Sequence, residues 1–171
     1  YLEHLNKHHV IWIDIQEEIR LNNNNADTVL SFITEGVIKE LEEEFQSTFA
    51  QRNIPYALRQ LNLQQGLSFI IIIDEWDVLI RDEAANQQFQ EGYTNCLRGL
   101  FKGVEPTKYI QLAYLTGILP IKKEKTQSAL NNFDEFTMLE ATDLAQYIGF
   151  TEKEVKALCN KYNKDFEKVK L

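Results

Sequence analysis

Three carboxylates fall within four positions, Asp74, Glu75 and Asp77, directly after five unbroken apolar residues from Phe69 to Ile73. A carboxylate in apolar surroundings is costly unless something compensates it. Acids aimed from the mouth of a core strand therefore point to a cation to be held or a water to be activated. The plainer alternative is that these acids cap the following helix or pair with Arg81. On the first reading the apolar run is the anchor and the acids are what it aims.

The elements that must position them follow from periodicity. His9 to Ile15 is β-branched and aromatic and reads as a strand ending in Asp14. Asp14 then shares a sheet edge with Asp74, where it supports a site or merely caps a loop. The polar run through four consecutive asparagines, 22–25, reads as a loop or a short helix end. From Thr28 to Ala50, Val29, Ile33, Val37, Leu41 and Phe45 recur every four positions, giving a long amphipathic helix with Asp27 or Thr28 as N-cap. A second helix starts near Pro55 and closes at Gly66. A third covers roughly Asn86 to Phe101, with Phe89, Tyr93, Cys96, Leu97, Leu100 and Phe101 on its inner face. Lys108 to Gly117 is a further strand, Phe136 to Leu139 a shorter one, and Thr151 with Glu154 forms a capping box that opens a late helix. Apolar strands separated by helices predict an α/β fold with a parallel sheet covered on both faces. In such sheets ligands bind beyond the carboxyl ends of the strands, where Asp74 and Glu75 emerge.

Composition narrows the function classes. The 171 residues carry a net charge of −8, so the surface as a whole does not advertise nucleic-acid or anionic-membrane binding. From Thr151 to Leu171 six lysines meet four acids, a solvated helix face rather than a binding patch. Cys96 and Cys159 lie far apart and read as free thiols of a reducing compartment. No apolar run has the length of a membrane span and no signal-peptide pattern opens the chain, so a cytoplasmic protein without membrane partners is expected.

Four or more apolar residues followed by Asp-Glu is the Walker B pattern of nucleotide hydrolases, in which the Asp holds Mg²⁺ and the next carboxylate orients the attacking water. Thr116 and Gly117 end the next strand. A hydroxyl there can contact a terminal phosphate or its water; otherwise the pair is a strand-end turn in which glycine supplies an unusual dihedral. Taken together, "IIIIDEWD", "YLTGILPI", "SALNNFDEFTML" and "GFTEKEV" resemble the bacterial AAA-ATPase-like family, whose members often carry a nuclease-like domain after the ATPase portion. The family's usual Asp-Glu-Tyr-Asp has Trp76 in place of Tyr here. Thr116, Gly117, Ser128, Leu130, Asn131 and Asn132 match its next two motifs, and Gly149 to Val155 matches the segment beyond the nucleotide core.

The resemblance implies a three-layer parallel sheet of the P-loop NTPase type, with residues 1–145 as a partial core and 146–171 opening a following helical segment. It implies Mg²⁺ on Asp74, catalytic roles for Glu75 and Thr116, and nucleotide-binding roles for Asp74, Asp77, Asn131 and Asn132. The family's phosphate-binding loop, Gly-x-x-x-x-Gly-Lys-Ser/Thr, should precede His9, yet no Gly-Lys pair occurs anywhere in the chain. The chain thus reads as an internal fragment of a longer ATPase, lacking the first strand and the loop. The parent would bind and hydrolyse ATP with Mg²⁺, while the fragment would bind no cofactor and be inactive alone. Nucleic acid enters only through a nuclease-like domain outside these residues. A nucleotide-independent protein-interaction module is the competing reading; a nuclease metal site at Asp74, Glu75 and Asp77 lacks the Lys and strand pattern such sites need.

Smaller constellations carry less. His4 and His8 are an i, i+4 pair with no obvious third ligand, and Lys122, Lys123 and Lys125 face phosphate, nucleic acid or only water. Removing the phosphate-loop strand should leave Val10–Asp14, Phe69–Asp74 and Ile110–Thr116 contiguous and parallel, with Phe69–Asp74 in the middle. The outer strand then offers a bare edge, to be covered by the segment around Phe136 or by a second copy.

Overall fold

The computed structural model describes residues 2–23, 26–81, 87–119, 130–137, 146–147 and 149–169. The chain is α/β and divides into two compact units, Tyr1–Phe133 and Asp134–Leu171.

In the first unit β1 (His9–Asp14), β2 (Phe69–Asp74) and β3 (Ile110–Leu115) form a parallel sheet in the order β1-β2-β3. This is the contiguous arrangement expected, with the carboxylate-bearing strand in the centre. Register aligns Asp14 with Asp74 across β1 and β2. Between β2 and β3 one irregularity beside Phe69 and Ile70 shifts the pairing, after which Ile73 faces Leu115. Backbone bonds continue past the strand ends: Thr116 N–H donates to the Ile73 carbonyl and Trp76 N–H to the Thr116 carbonyl, both at 3.0 Å.

One face of the sheet is the core. Ile13, Phe69, Ile71 and Ile73 are buried there with Val29, Ile33, Ile38 and Leu41 of α2 (Ala26–Phe45), Ala57, Leu58 and Leu61 of α3 (Ile54–Gln65), and the inner side of a helix that follows β2. The regular apolar spacing of α2 explains its seat. The helix begins at Ala26, ahead of both candidate caps. Asn53 caps α3 by accepting from Tyr56 N–H at 3.0 Å, Pro55 sits in its first turn, and Gly66 closes it at φ +70°, as its sequence predicts.

The opposite face differs from expectation. Val10 and Trp12 of β1 and Leu112 and Tyr114 of β3 are each more than half exposed, and the register sets these pairs beside Ile70 and Ile72. Among the described residues of the first unit no helix buries these four side chains. The apolar run of β2 is what a two-sided core demands, but a strand's composition records which surfaces suit burial, not whether a covering element lies over them.

Of the two expectations for the segment after Asp14, loop or short helix end, the helical one holds: α1 (Ile15–Leu21) is capped by Asp14, whose Oδ1 accepts from Glu17 N–H at 3.0 Å. The third expected helix is preceded by one turn, α4 (Val78–Arg81), before α5 (Gln87–Phe101). Phe89, Tyr93, Leu97, Leu100 and Phe101 are buried as read, whereas Cys96 is exposed. A 3-10 turn, Pro106–Lys108, leads into β3.

In the second unit Phe136 and Thr137 are not strand; Met138 and Leu139 lie outside the described residues. Helix α6 (Glu152–Lys161) opens with the expected capping box, Thr151 and Glu154 each bonding the other's backbone N–H, and α7 (Phe166–Val169) follows. No helix among the described residues is long and apolar enough to cross a membrane.

Candidate functional site

The end of β2 releases Asp74 at the carboxyl edge, where the chain turns sharply. Glu75 takes φ +53°, a left-handed conformation that costs a non-glycine residue about 1 kcal/mol or more unless its surroundings impose it. They do. Glu75 N–H donates to Asp74 Oδ1 at 3.0 Å, Val78 N–H donates to the Glu75 carbonyl at 3.1 Å, and Trp76 is tied to Thr116. Trp76 is buried, and the Tyr93 hydroxyl donates to its carbonyl at 2.6 Å from α5. Burial pushes the Tyr93 phenol well above its ordinary range, so it is a proton donor at any working pH.

Five of the residues named in the sequence come together here, and the plainer expectation of a pairing with Arg81 holds for Glu75 and Asp77. Asp74 Oδ1 accepts from the Thr116 hydroxyl as well as from Glu75 N–H, while Oδ2 has no partner among the described residues. Glu75 Oε2 accepts from Arg81 Nη2 at 3.0 Å, and Oε1 is likewise open. Asp77 is wholly buried, the sole buried charged side chain among the described residues. Its Oδ2 accepts from Arg81 Nε at 2.8 Å and from the backbone N–H of Ile118 and Leu119 at 3.2 and 2.7 Å. Its Oδ1 has no hydrogen-bond partner among the described residues. Asp77 is therefore a structural tie between the two turns, and Arg81 bridges it to Glu75.

Gly117 fills the space between these turns. A Cβ there would stand 2.5 Å from Asp77 Oδ1, 2.7 Å from Trp76 Cδ1 and 2.8 Å from Trp76 Nε1. Its φ is not positive, unlike those of Gly66, Gly103 and Gly149, so glycine is needed for room and not for an unusual dihedral. This overturns the turn-dihedral alternative.

Other candidates stand apart. Asn131 and Asn132 are exposed; Asn132 Nδ2 donates to the Phe101 carbonyl at 3.2 Å, at the end of α5, and neither bonds to Asp74, Glu75, Asp77 or Thr116. Asp14 is occupied as the cap of α1. His4 and His8 stack and share a 3.1 Å hydrogen bond, and among the described residues no group of three or more His, Cys, Asp or Glu could hold a metal. Ser128, Lys122, Lys123 and Lys125 lie outside the described residues. The Ile118 and Leu119 amides that bind Asp77 were not legible beforehand, since backbone donors leave no mark in composition.

The site is thus a cluster of acid, hydroxyl and guanidinium at the carboxyl edge of a parallel α/β sheet. The chain belongs to the AAA-ATPase-like family, described as predicted AAA-ATPases, whose model matches residues 1–126. No curated protein and no solved structure gives a match.

Proposed function

We propose that these residues are the Walker B and sensor portion of a P-loop NTPase core, and that the whole protein hydrolyses ATP with Mg²⁺. The observation that carries this reading is the pairing of Asp74 with Thr116 at the edge where Glu75 emerges, with one oxygen of each carboxylate uncommitted. Magnesium takes one or two carboxylates, keeps several waters and completes its shell on phosphate. A single Asp with a free Oδ2 fits that habit, and the lack of a three-ligand cage among the described residues does not count against it. The ion would offset phosphate charge. Asp74 would hold it through Oδ2, with the Thr116 hydroxyl donating to Oδ1 and so fixing the carboxylate plane. Glu75, one oxygen held by Arg81, would present the other to a water.

In the whole protein Glu75→Gln is expected to keep ATP binding and lose turnover by about 100-fold or more; unchanged turnover refutes the assignment. Residues 1–171 contain no Gly-Lys pair, so this chain by itself should bind Mg-ATP weakly. The same reading expects self-association through the outer edge of β3. Light scattering at high concentration tests that expectation, and a strictly monomeric species counts against it.

A further inference from the structure

Arg81 sits on α4, one helical turn beyond Asp77, and its guanidinium makes two charge-assisted bonds, Nε to buried Asp77 at 2.8 Å and Nη2 to Glu75 at 3.0 Å. The guanidinium's planar fork fixes both directions at once. Asp77 cannot yield, because the same oxygen receives Ile118 and Leu119 N–H and the residue is sealed from water. Glu75 can move: its side chain is 40% exposed and, among the described residues, only Arg81 holds it. The arrangement is a rigid anchor, a rigid fork and one free carboxylate.

We propose that Arg81 is a positioning residue that, anchored on Asp77, sets the direction of the Glu75 carboxylate and ties that direction to the Thr116–Leu119 turn. The proposal rests on the catalytic reading of Glu75 above. Its consequence is that the distance between the water-facing oxygen of Glu75 and the Thr116 hydroxyl is set by an internal ion pair rather than by the strands alone. Arg81 touches no substrate on this account; it acts through Glu75.

The test compares Arg81→Gln, Arg81→Lys, Glu75→Gln and the double variant Glu75→Gln/Arg81→Gln in the whole protein with Mg-ATP. Arg81→Gln should lower kcat about tenfold or more while KM stays within about twofold, the split expected of a group that acts in the transition state and not in binding. Arg81→Lys keeps the charge that Asp77 needs, so it folds, but an amine cannot serve both carboxylates as a fork does and restores activity only in part. The double variant should be no slower than Glu75→Gln. A second readout is independent of turnover: in urea unfolding of the 171-residue chain, the Glu75→Gln and Arg81→Gln effects on the folding equilibrium should depart from a product by about threefold or more. Unchanged kcat in Arg81→Gln, a KM that rises as kcat falls, multiplicative rate effects, or independent unfolding effects each overturn the proposal. If Glu75→Gln stops turnover and Arg81→Gln does not, this inference fails alone; if Glu75→Gln is fully active, the catalytic reading itself has failed.

Discussion

Replacing Gly117 by alanine tests the packing of the two turns directly. At a residue whose φ is ordinary, Gly→Ala normally stabilises by about 0.4–1 kcal/mol, because the unfolded chain loses freedom. Here the added methyl would meet three atoms at 2.5 to 2.8 Å, about 0.6–0.9 Å inside ordinary contact at 3.4 Å. None of them can give way cheaply. Trp76 is buried with its carbonyl bound by Tyr93, and Asp77 is held through Oδ2 by three donors. Overpacking of this kind costs about 1–3 kcal/mol and outweighs the entropic gain. Gly92, inside α5 with nothing within 4 Å of its added Cβ, supplies the control: Gly92→Ala should stabilise by up to about 1 kcal/mol through helix propensity. Urea unfolding followed by the fluorescence of buried Trp76 reads both. Gly117→Ala should lower the midpoint by about 1 M at unchanged slope, and Gly92→Ala should raise it. If Gly117→Ala were as stable as the parent, the tight approach between the turns would be wrong, and with it the assignment of Gly117 to room rather than dihedral.

Removing the buried acid should cost more: Asp77→Ala strands the Ile118 and Leu119 N–H donors and leaves Arg81 its bond to Glu75, and about 3–5 kcal/mol is expected in the same unfolding assay, with Asp77→Asn milder. Calorimetry of residues 1–171 with Mg-ATP should show no micromolar binding; a micromolar dissociation constant would contradict the proposed need for a separate phosphate loop. Acid sensitivity has a definite sign at Glu42. A hydrogen bond from Arg52 and one from Phe49 N–H hold its carboxyl below the ordinary 4.5, so its contribution is present above that value and lost as pH falls through the lower folded value. Glu42→Gln should therefore flatten the decline of thermal stability below about pH 4.5. Thr151→Ala, which removes one half of the capping box, should cost α6 about 1 kcal/mol, read as faster amide exchange in its first turn.

The elements that local chemistry dictates were legible in the amino-acid order. The four-residue apolar spacing of α2, Asn53, Pro55 and Gly66 around α3, and the Thr151–Glu154 box all depend on neighbours a few residues away; the last two form where they are written, while α2 starts ahead of its expected caps and ends at Phe45, short of the expected Ala50. Asp74, Glu75 and Thr116 could be nominated because acids and a hydroxyl at the mouths of apolar strands fall in the order of the family's motifs, although Asp14, ending β1 in the same way, is only a helix cap. Their meeting could not be read from the chain. Thr116 lies 42 positions from Asp74, and the contact exists only because β2 and β3 pair in one register and continue pairing through Trp76. The separate roles of three neighbouring acids were equally hidden: Asp74 faces the edge, Glu75 turns left-handed, and Asp77 is driven inside, where distant backbone donors await it. Gly117 looked like a turn glycine and is a spacer, a distinction made entirely by the side chains packed against it. The burial of Ile71 and Ile73 and the exposure of Trp12 and Tyr114 are likewise tertiary, since the same apolar composition serves a strand on either side until an element lies over it.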